Sequence, residues 1–585
     1  MQRHALASAL LCTFALSACT TVGQDEARSA PAADAVAPMP PTPMPAPPPA
    51  REAVAAKALG RAAAAGLRQR ARPAPTMLTE AVALDAYAPA PAAPPAPGYW
   101  QPANTEKYAA HDDNPVHRAS EEPVSTFSID VDTGSYANVR RMLREGVRPP
   151  ADAVRAEEMI NYFSYGHPAP GSADVPFRVT TELAPAPWNA KRQLLMIGIK
   201  GFDVPKAALP PANLVLLIDT SGSMDMPGKL PLLKQSMAQL VRQLRPQDHV
   251  SIVVYAGSAG LVLPPTPGDR GDEILAALDR LEAGGSTNGG DGIRLAYAMA
   301  RQGFVEGGVN RVVLATDGDF NVGTVDQGAL ETLVADQRKS GIALTTLGFG
   351  EGNYNDRMAE RLADVGDGNH AYIDSLAEAR KVLVQQLGGT LMTIARDVKI
   401  QVEFNPAQVA EYRLIGYENR ALRREDFAND KVDAGDIGAG HEVTALYEIT
   451  PVGSDATRVP ALRYGAREAK GDAGAGAAKL GEIAELRLRY KRPGADASRL
   501  LATPILASSL RARPSDTLRF AATVAAYADA LRGGTHLDGW GWDDIARSAR
   551  QAQGGDRLRA EFTGLVESAR ALTDGDTPQV GMVTE

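Results

Sequence analysis

Five oxygen-bearing side chains lie in three short loops of this 585-residue chain. The first loop, Asp-Thr-Ser-Gly-Ser, follows an apolar run and places two hydroxyls behind a carboxylate. The second, Gly-Gly-Ser-Thr-Asn-Gly-Gly, offers a hydroxyl where glycines permit close approach of the backbone. The third, Thr-Asp-Gly, ends another apolar run. The five candidate metal ligands are Asp219, Ser221, Ser223, Thr287 and Asp317.

Three hydroxyls and two carboxylates form a set of hard oxygen ligands. Mg²⁺ prefers octahedral oxygen coordination and keeps some of its waters. The five side chains, some acting through water, would leave one position open for a Glu or Asp of a partner. We therefore predict a Mg²⁺ site, with Mn²⁺ or Ca²⁺ as alternatives, that grips a partner and performs no chemistry. The simpler alternative is that Ser221 and Ser223 cap the next helix and Asp317 forms a turn.

Short apolar runs that alternate with helical periods would bring these loops together. Alternating buried strands and helices predict an α/β fold with a doubly wound, mostly parallel sheet that is covered on both faces. Such sheets bind ligands at the carboxyl ends of their strands, where we expect the loops to meet. The four runs are Leu214–Ile218, Val250–Tyr255, Val312–Ala315 and Ile342–Leu347.

Strand-like segments on both sides, Phe177–Lys200 and Asp397–Tyr490, suggest that the α/β domain is inserted in, or flanked by, a β-sandwich. From Ser515 onward the pattern is helical, and Gly533 is placed to end one helix. The predicted boundaries are 1–18 for a signal peptide, 19–122 for an Ala/Pro-rich disordered tether, 123–205 for an α+β region that contributes strands to the sandwich, 206–393 for the α/β domain, 394–495 for the β-sandwich and 496–585 for a C-terminal helical region.

Together these motifs resemble the von Willebrand factor type A (VWA) domain over residues 212–391. The resemblance implies a metal-ion-dependent adhesion site in which Ser221, Ser223 and Thr287 ligate the metal directly, whereas Asp219 and Asp317 act mainly through water. Beyond this domain the chain resembles a family of bacterial lipoproteins that carry one VWA domain. The resembling segments are FSIDVDTGSYANVRRML, SGSM followed by GKLPLLKQS, and LRFAATVAAYADALRG.

The N-terminal sequence is typical of an exported lipoprotein. A charged start precedes the apolar stretch Ala5–Ala18, which is too short to span a membrane. Leu-Ser-Ala-Cys at its end resembles a lipobox in which Cys19 is acylated; an ordinary secretory signal is the alternative. The other cysteine, Cys12, would leave with the signal, so no disulfide can form. Thr20 after the acylated residue favours the outer membrane, by resemblance to enterobacterial sorting.

Several competing functions find little support. A net charge of −9 without a basic cluster argues against nucleic-acid binding. The segment Gly222–Lys229 nearly matches a phosphate-binding loop, but its glycine spacing is wrong and Leu230 replaces the magnesium-binding Ser or Thr, so no nucleotide is predicted. Asp132-Thr-Gly matches an aspartic-protease motif, but a charged helix follows it. The eight histidines are scattered, which argues against a zinc site.

Three further features have structural interpretations. Asp130 and Asp132 are expected to cap the helix that follows them, with calcium binding as the alternative. Trp540 and Trp542 are expected to pack between helices, with carbohydrate stacking as the alternative. The acidic segment Glu425–Asp436 is expected to be a solvated surface, again with calcium affinity as the alternative.

We therefore predict a lipid-anchored cell-envelope protein that binds an acidic group of another envelope or extracellular protein through a divalent metal. A metal-assisted hydrolase is one alternative, but it needs a general base beside the open position. The metal loops contain no His or Glu, and the nearby carboxylates are Asp225, Asp291 and Asp319. A purely structural envelope scaffold is the other alternative, and it predicts no metal dependence.

The variant Cys19→Ser tests the lipid anchor. We expect it to accumulate as an unprocessed precursor without lipid, because the thiol is the predicted acylation site. Metabolic labelling with a radioactive fatty acid measures this, and Cys12→Ser is a control that should be labelled like the wild type. Normal lipid labelling of Cys19→Ser would refute the anchor.

Overall fold

The computed structural model describes residues 104–172, 174–286, 289–318, 327–460, 462 and 481–575. The predicted signal peptide, Cys19, the tether up to residue 103 and Thr287 lie outside the described residues. The strands in the described ranges are β1 (His117–Arg118), β2 (Val124–Ser128), β3 (Phe177–Ala186), β4 (Asn189–Gly201), β5 (Ala212–Asp219), β6 (His249–Tyr255), β7 (Ala259–Pro267), β8 (Val309–Thr316), β9 (Ile342–Phe349), β10 (His370–Ile373), β11 (Thr393–Phe404), β12 (Val409–Ile415), β13 (Ile437–Gly438), β14 (Glu442–Pro451), β15 (Glu482–Lys491) and β16 (Ser498–Leu506).

The α-helices in these ranges are α1 (Gly134–Arg144), α2 (Ala156–Asn161), α3 (Leu230–Val241), α4 (Gly271–Asp279), α5 (Gly289–Gln302), α6 (Gln327–Lys339), α7 (Asp356–Val365), α8 (Leu376–Arg380), α9 (Leu387–Leu391), α10 (Asp516–Arg532), α11 (Trp542–Ala552) and α12 (Arg557–Gly575). A π-helical turn, Lys381–Gln385, lies between α8 and α9.

The centre of the α/β domain is a six-stranded sheet in the order β10-β9-β8-β5-β6-β7. Neighbouring strands are parallel except β7, which runs antiparallel to β6. Strand β5 is buried along its whole length, as expected when helices cover both faces. Helices α3, α4 and α8 pack on one face and α5, α6 and α7 on the other. The predicted doubly wound, mostly parallel sheet is confirmed, and β7 and β10 are additional strands.

Two antiparallel sheets form a β-sandwich. One has the order β1-β12-β14-β4-β3, and the other has the order β13-β11-β15-β16 with β2 beside β11. Strand β4 precedes the α/β domain in the chain and β14 follows it, yet the two strands pair, with Leu195 opposite Tyr447. The prediction that the α/β domain is inserted in a β-sandwich is therefore confirmed.

Alternation along β4 explains the helical layer outside the sandwich. Leu195 and Ile197 belong to the core between the two sheets, whereas Leu194 and Met196 belong to the core under α10, α11 and α12. Aromatic rings fill this outer core, and Trp540 and Trp542 pack against it, as expected; the central rings are Phe520, Tyr527 and Phe562.

Residues 104–122, predicted as the end of the tether, belong instead to the folded unit. Thr105 N–H donates to Gly352 O at 2.7 Å, and β1 pairs with β12 through His117 and Tyr412. The Ala/Pro bias has already ended in this segment, and its polar and aromatic residues bond to the body of the protein. Within the described ranges, no helix has the length and apolar character needed to cross a membrane.

The buried guanidinium of Arg140 joins three parts of the protein. It contacts Asp374 at 2.6 Å, Glu378 at 2.7 Å and Glu561 at 2.9 Å. Asp374 and Glu378 lie in the α/β domain, Glu561 lies in α12, and Arg140 itself lies in α1. Because a buried charge is costly without partners, these carboxylates and this arginine stabilise one another only while the three parts remain docked.

Arg155 forms a similar junction between the helix α2 region and the α/β domain. Its guanidinium contacts Glu158 of α2, Asp356 of α7 and, at 3.5 Å, Glu360 of α7. All four side chains are buried. The α/β domain is therefore held by charge pairs from two directions, at α7 and at α8.

Asp130 and Asp132 do not cap α1, and the predicted capping role is wrong. Thr133 occupies the N-cap position without a side-chain hydrogen bond. Instead, Arg420 lies 3.3 Å from Asp130 and 3.5 Å from Asp132, and Asp132 accepts the N–H of His370 at 2.8 Å. A buried guanidinium competes for these carboxylates more strongly than a helix-end amide does.

The acidic segment Glu425–Asp436 is not uniformly solvated, which corrects the expectation for part of it. Asp426 is buried, and Asp433 pairs with Arg338. Burial and the neighbouring Asp367 raise the pKa of Asp436 to about 8. The segment folds back against the α/β domain, so only some of its carboxylates face water.

The variant Arg140→Met tests the junction. We expect the free energy of unfolding to fall by about 3–5 kcal/mol, because buried Asp374 and Glu378 lose the charge that compensates them. The matched control is Arg144→Met, one turn later in α1, whose side chain is 49% exposed; its loss should stay below about 1 kcal/mol. Urea denaturation followed by circular dichroism measures both, and equal losses would contradict the role of Arg140.

Candidate functional site

Asp219 is the last residue of β5 and begins the candidate site. Its Oδ1 accepts the N–H of Ser221 at 2.8 Å, and its Oδ2 accepts the hydroxyl of Thr316 at 3.5 Å. These bonds hold the carboxylate at the carboxyl edge of the sheet. Ser221 precedes a 3₁₀ turn, Gly222–Asp225, but its side chain makes no capping hydrogen bond. The alternative in which Ser221 acts as a helix cap is therefore wrong.

The structure brings four of the five predicted side chains together. Ser221 Oγ lies 3.1 Å from Ser223 Oγ, and Ser223 hydrogen-bonds to Asp317. Asp219, Ser221 and Asp317 are buried, whereas Ser223 is exposed, so the cluster opens to solvent on the Ser223 side. The fifth side chain, Thr287, lies outside the described residues.

The described start of the glycine-rich loop is fixed beside this cluster. Gly284 N–H donates to Thr220 O at 2.8 Å, and Gly222 N–H donates to Gly285 O at 3.0 Å. Two backbone hydrogen bonds therefore join the glycine-rich loop to the Asp-Thr-Ser-Gly-Ser loop. This pairing brings the two loops to the same edge of the sheet, as their sequences predicted.

Lys229 is a member of the cluster that sequence reasoning missed. Its Nζ lies 2.9 Å from Asp317 Oδ2 and 2.8 Å from Asn353 Oδ1, and the residue is 3% exposed. Gly350, with φ +75°, leaves room for the lysine stem, since a Cβ there would lie 2.3 Å from Lys229 Cγ. An ammonium is therefore held beside one carboxylate of the site.

The near match to a phosphate-binding loop ends in this same lysine. A phosphate loop uses its Lys to contact phosphate oxygens, whereas Lys229 is bonded to Asp317 and Asn353. In the sequence, the signal that could have identified this residue is a lysine ten residues after Asp219. It lies in a segment that also resembles a phosphate-binding loop. Its pairing with Asp317 spans 88 residues and leaves no local pattern.

The two carboxylates respond differently to the same buried setting. Burial raises the pKa of Asp219 to about 6, against hydrogen bonds from Ser221 and with added repulsion from Asp317. Burial acts on Asp317 too, but the hydrogen bond from Ser223 and the ammonium of Lys229 outweigh it and bring that pKa below its usual value. A bound cation would relieve the repulsion between the two carboxylates.

The donor set of the four described side chains fits a hard divalent cation. Hydroxyl and carboxylate oxygens are the ligands that Mg²⁺ and Ca²⁺ prefer, and the four include no imidazole or thiolate. Lys229 engages Oδ2 of Asp317 through the bond described above. Asp219, Ser221 and Ser223 would hold such a cation, and Asp317 would support the site through its hydrogen bond with Ser223.

A second group of potential metal ligands lies elsewhere in the described part of the chain. Ligand atoms of Asp113, Asp529 and His536 lie within 4.8 Å of one another. Arg532, however, contacts Asp113 at 2.6 Å, and burial together with nearby arginines lowers the pKa of His536 to about 4. Arg532 already pairs with Asp113, and Asp529 accepts the N–H of His536, so the group is better described as part of an ion-pair and hydrogen-bond network.

Comparison with family models agrees with this fold. Residues 213–386 match the von Willebrand factor type A domain, residues 102–196 match a model described as von Willebrand factor, and residues 389–572 match a model described as "Uncharacterized protein YfbK, C-terminal". The chain is thus a bacterial VWA-domain protein, as its motifs predicted. Domains of this class are typically non-enzymatic modules for protein interaction or adhesion, and they commonly bind a divalent metal.

One relative matches along most of the chain. The protein is 50% identical over 480 residues to YfbK of Escherichia coli (strain K12), a match that covers 80% of this chain and 82% of the relative. The chain therefore belongs to the YfbK family.

More distant similarities are confined to part of the sequence or to the fold. Protein sll0103 of Synechocystis is 30% identical over 197 residues, covering 34% of this chain and 45% of its own length. A solved von Willebrand factor type A structure from Catenulispora acidiphila covers 68% of this chain and 89% of its own, with 15% identity and a TM-score of 0.37.

The variant Lys229→Met tests the charge at the candidate site. We expect Mn²⁺ binding at pH 8 to tighten about tenfold, because an ammonium that repels the cation is removed. The matched control is Lys234→Met in α3, whose Nζ donates to the backbone carbonyls of Asp279 and Leu281; it should bind Mn²⁺ like the wild type. Isothermal titration calorimetry measures both. Unchanged or weaker Mn²⁺ binding by folded Lys229→Met would contradict the expectation.

Proposed function

We propose that this protein captures an acidic group of a partner protein through a divalent cation. The observation that carries the proposal is the convergence of buried Asp219, Ser221 and Asp317 beneath exposed Ser223. A cation in this position would present a coordination position to solvent, and Thr287 is the fifth proposed ligand. Mg²⁺ is the proposed metal, with Mn²⁺ or Ca²⁺ as alternatives.

The balance of charge favours a carboxylate as the last ligand. Asp219 and Asp317 carry two negative charges, and Lys229 removes one of them. A divalent cation would then leave one positive charge in a largely buried cluster, since the serine hydroxyls are neutral. An Asp or Glu side chain of a partner neutralises this charge, whereas a neutral group does not.

The surroundings of the cluster support binding over hydrolysis. A metal-assisted hydrolase needs a general base within reach of the metal-bound water. Side chains that contact the cluster in the described part of the chain include those of Thr316, Lys229, Asn353 and Tyr255. None of these four is a carboxylate or an imidazole, and Lys229 is held by Asp317.

The proposed setting is the cell envelope. Cys19 would carry the lipid, Thr20 favours the outer membrane, and the Ala/Pro-rich tether would hold the folded unit away from the bilayer. The partner would be another envelope or extracellular protein that presents an Asp or Glu. The membrane would be reached only through the lipid anchor.

The double variant Asp219→Ala/Ser221→Ala tests this function. We expect it to lose at least about tenfold in Mn²⁺ affinity and to lose metal-dependent partner capture, because two converging oxygens are removed. Calorimetry with Mn²⁺ measures the first effect. Cross-linking in intact cells, followed by purification with and without EDTA, measures the second.

A matched control for this experiment is Asp225→Ala. Its carboxylate lies in the adjacent 3₁₀ turn and is exposed, so both readouts should remain at wild-type level. Partner capture that persists in EDTA, or that survives in the folded double variant, would reject the proposed function.

A further inference from the structure

A cavity of about 600 Å³ lies between the α/β domain and the β-sandwich. Arg311 of β8 lies on one side of it, and Asp436 and His441 of the sandwich segment lie on the other. Arg311 is near the start of β8, whereas Asp317 follows the end of that strand. Six residues of extended chain, about 20 Å, separate them, so the cavity is distinct from the candidate metal site.

Six carboxylates around this cavity share three arginines, so each has an arginine nearby but acidic groups remain in excess. Seven carboxylates and four arginines line it. Arg420 contacts three of the carboxylates, Arg338 contacts two and Arg361 contacts one. The compensated carboxylates are Asp130, Asp132, Asp364, Asp367, Asp433 and Glu331.

Arg311 is different from the other arginines of the lining. It is 5% exposed, and Nη1 donates to Thr345 Oγ1 at 2.6 Å. Its Nε is enclosed without a hydrogen-bond partner, and no carboxylate of the described residues lies within 4.0 Å of the guanidinium. Burial lowers the pKa of Arg311 to about 10, so it keeps its charge at neutral pH. A buried charge of this kind is costly unless a partner arrives.

The two groups across the cavity do not supply that partner. Burial and the neighbouring Asp367 raise the pKa of Asp436 to about 8, so this carboxyl is largely neutral at pH 7. Burial, Lys200 and Arg311 lower the pKa of His441 to about 4, so the imidazole is neutral as well. The guanidinium is therefore left without a close counter-charge, and Asp436 and Asp367 act on it only from beyond 4.0 Å.

We propose that this cavity binds a small zwitterion, of the size of an amino acid or dipeptide, whose carboxylate pairs with the guanidinium of Arg311. A guanidinium presents parallel N–H groups that match a carboxylate. The excess of carboxylates in the lining favours a ligand that also carries an ammonium and disfavours a phosphate dianion. The cavity volume is in the range of small-molecule sites. Because Arg311 lies on the α/β domain and Asp436 on the sandwich, the ligand would bridge the two parts.

Three probes test the ligand class on the full-length protein: glycylglycine, propionate and inorganic phosphate. We expect glycylglycine to bind with a dissociation constant of about 1 mM or lower, propionate to bind more weakly and phosphate to bind weakest. Saturation-transfer NMR titration measures all three. No binding of glycylglycine to the wild type, or tighter binding of propionate or phosphate, would overturn the proposal.

Substitutions then locate the site. Arg311→Met should weaken glycylglycine binding at least tenfold, and Arg270→Met, which removes an exposed charge at the start of α4 and outside the cavity lining, should leave it within twofold. Because Arg311→Met removes a buried charge that has no close counter-charge, the midpoint temperature of its thermal unfolding should not fall below that of the wild type. If Arg311→Met does not fold, Arg311→Lys is the second variant. It keeps the positive charge but not the parallel N–H groups of the guanidinium, so it should bind glycylglycine several-fold more weakly than the wild type. Wild-type binding by folded Arg311 variants would overturn the assignment.

This test is independent of the proposed metal function. Asp219→Ala/Ser221→Ala should bind glycylglycine like the wild type, because its substitutions lie at the opposite end of the sheet. Loss of Mn²⁺ binding and loss of glycylglycine binding therefore report on separate sites. A loss of glycylglycine binding in the folded double variant would place the probe at the metal site and would overturn the cavity proposal.

Discussion

The charge pairs formed by buried arginines determine how the parts of this protein are held together. Arg140, Arg155 and Arg420 each bind carboxylates from segments that are far apart in the chain. The sequence contains only Cys12 and Cys19, so no disulfide can reinforce the folded unit. Removing either member of such a pair leaves a charge in a medium that solvates it poorly, which makes docking of the parts cooperative. The VWA domain therefore has a defined orientation on the sandwich.

The candidate metal site uses the same chemistry on a smaller scale. Lys229 compensates one carboxylate of the cluster and leaves the other dependent on hydrogen bonds from Ser221 and Tyr255. A site with two uncompensated carboxylates would attract cations strongly, but a bound divalent cation would leave it neutral and without net attraction for an acidic partner. With one of them paired, the proposed metal and the proposed partner carboxylate favour each other. Under the proposed function, Lys229 would lower the affinity of the site for metal alone and raise its selectivity for an acidic ligand.

The features that were predictable from sequence are those with a local physical pattern. The buried strand β5 is a continuous apolar run, and Asp219 and Ser221 follow it directly, so their place at the sheet edge could be inferred. Leu194–Ile197 is likewise a continuous apolar run, and its residues face two different cores of the folded unit. These patterns involve residues that are close together in the sequence, so they can be recognised without the structure.

The features that were missed depend on partners far away in the chain. Lys229 and Asp317 are 88 residues apart, and Asp132 is 288 residues from Arg420. The local motif around Asp132 suggests a helix cap, but the distant guanidinium competes for the carboxylate more strongly. The boundary of the tether failed for a related reason, because residues 104–122 have little pattern of their own and are ordered by contacts with β12 and the loop at Gly352.

The insertion of the VWA domain between β4 and β11 has a mechanical consequence. The end of β4 and the start of β11 are adjacent, since a Cβ on Gly201 would lie 2.7 Å from Ile394 Cδ1. These strands belong to different sheets of the sandwich. A pulling force applied at the metal edge would therefore pass through the six-stranded sheet and divide between two separate hydrogen-bonded ladders. Neither sheet would carry the whole load. Because the end of β4 and the start of β11 are in contact, the two points of attachment would move together.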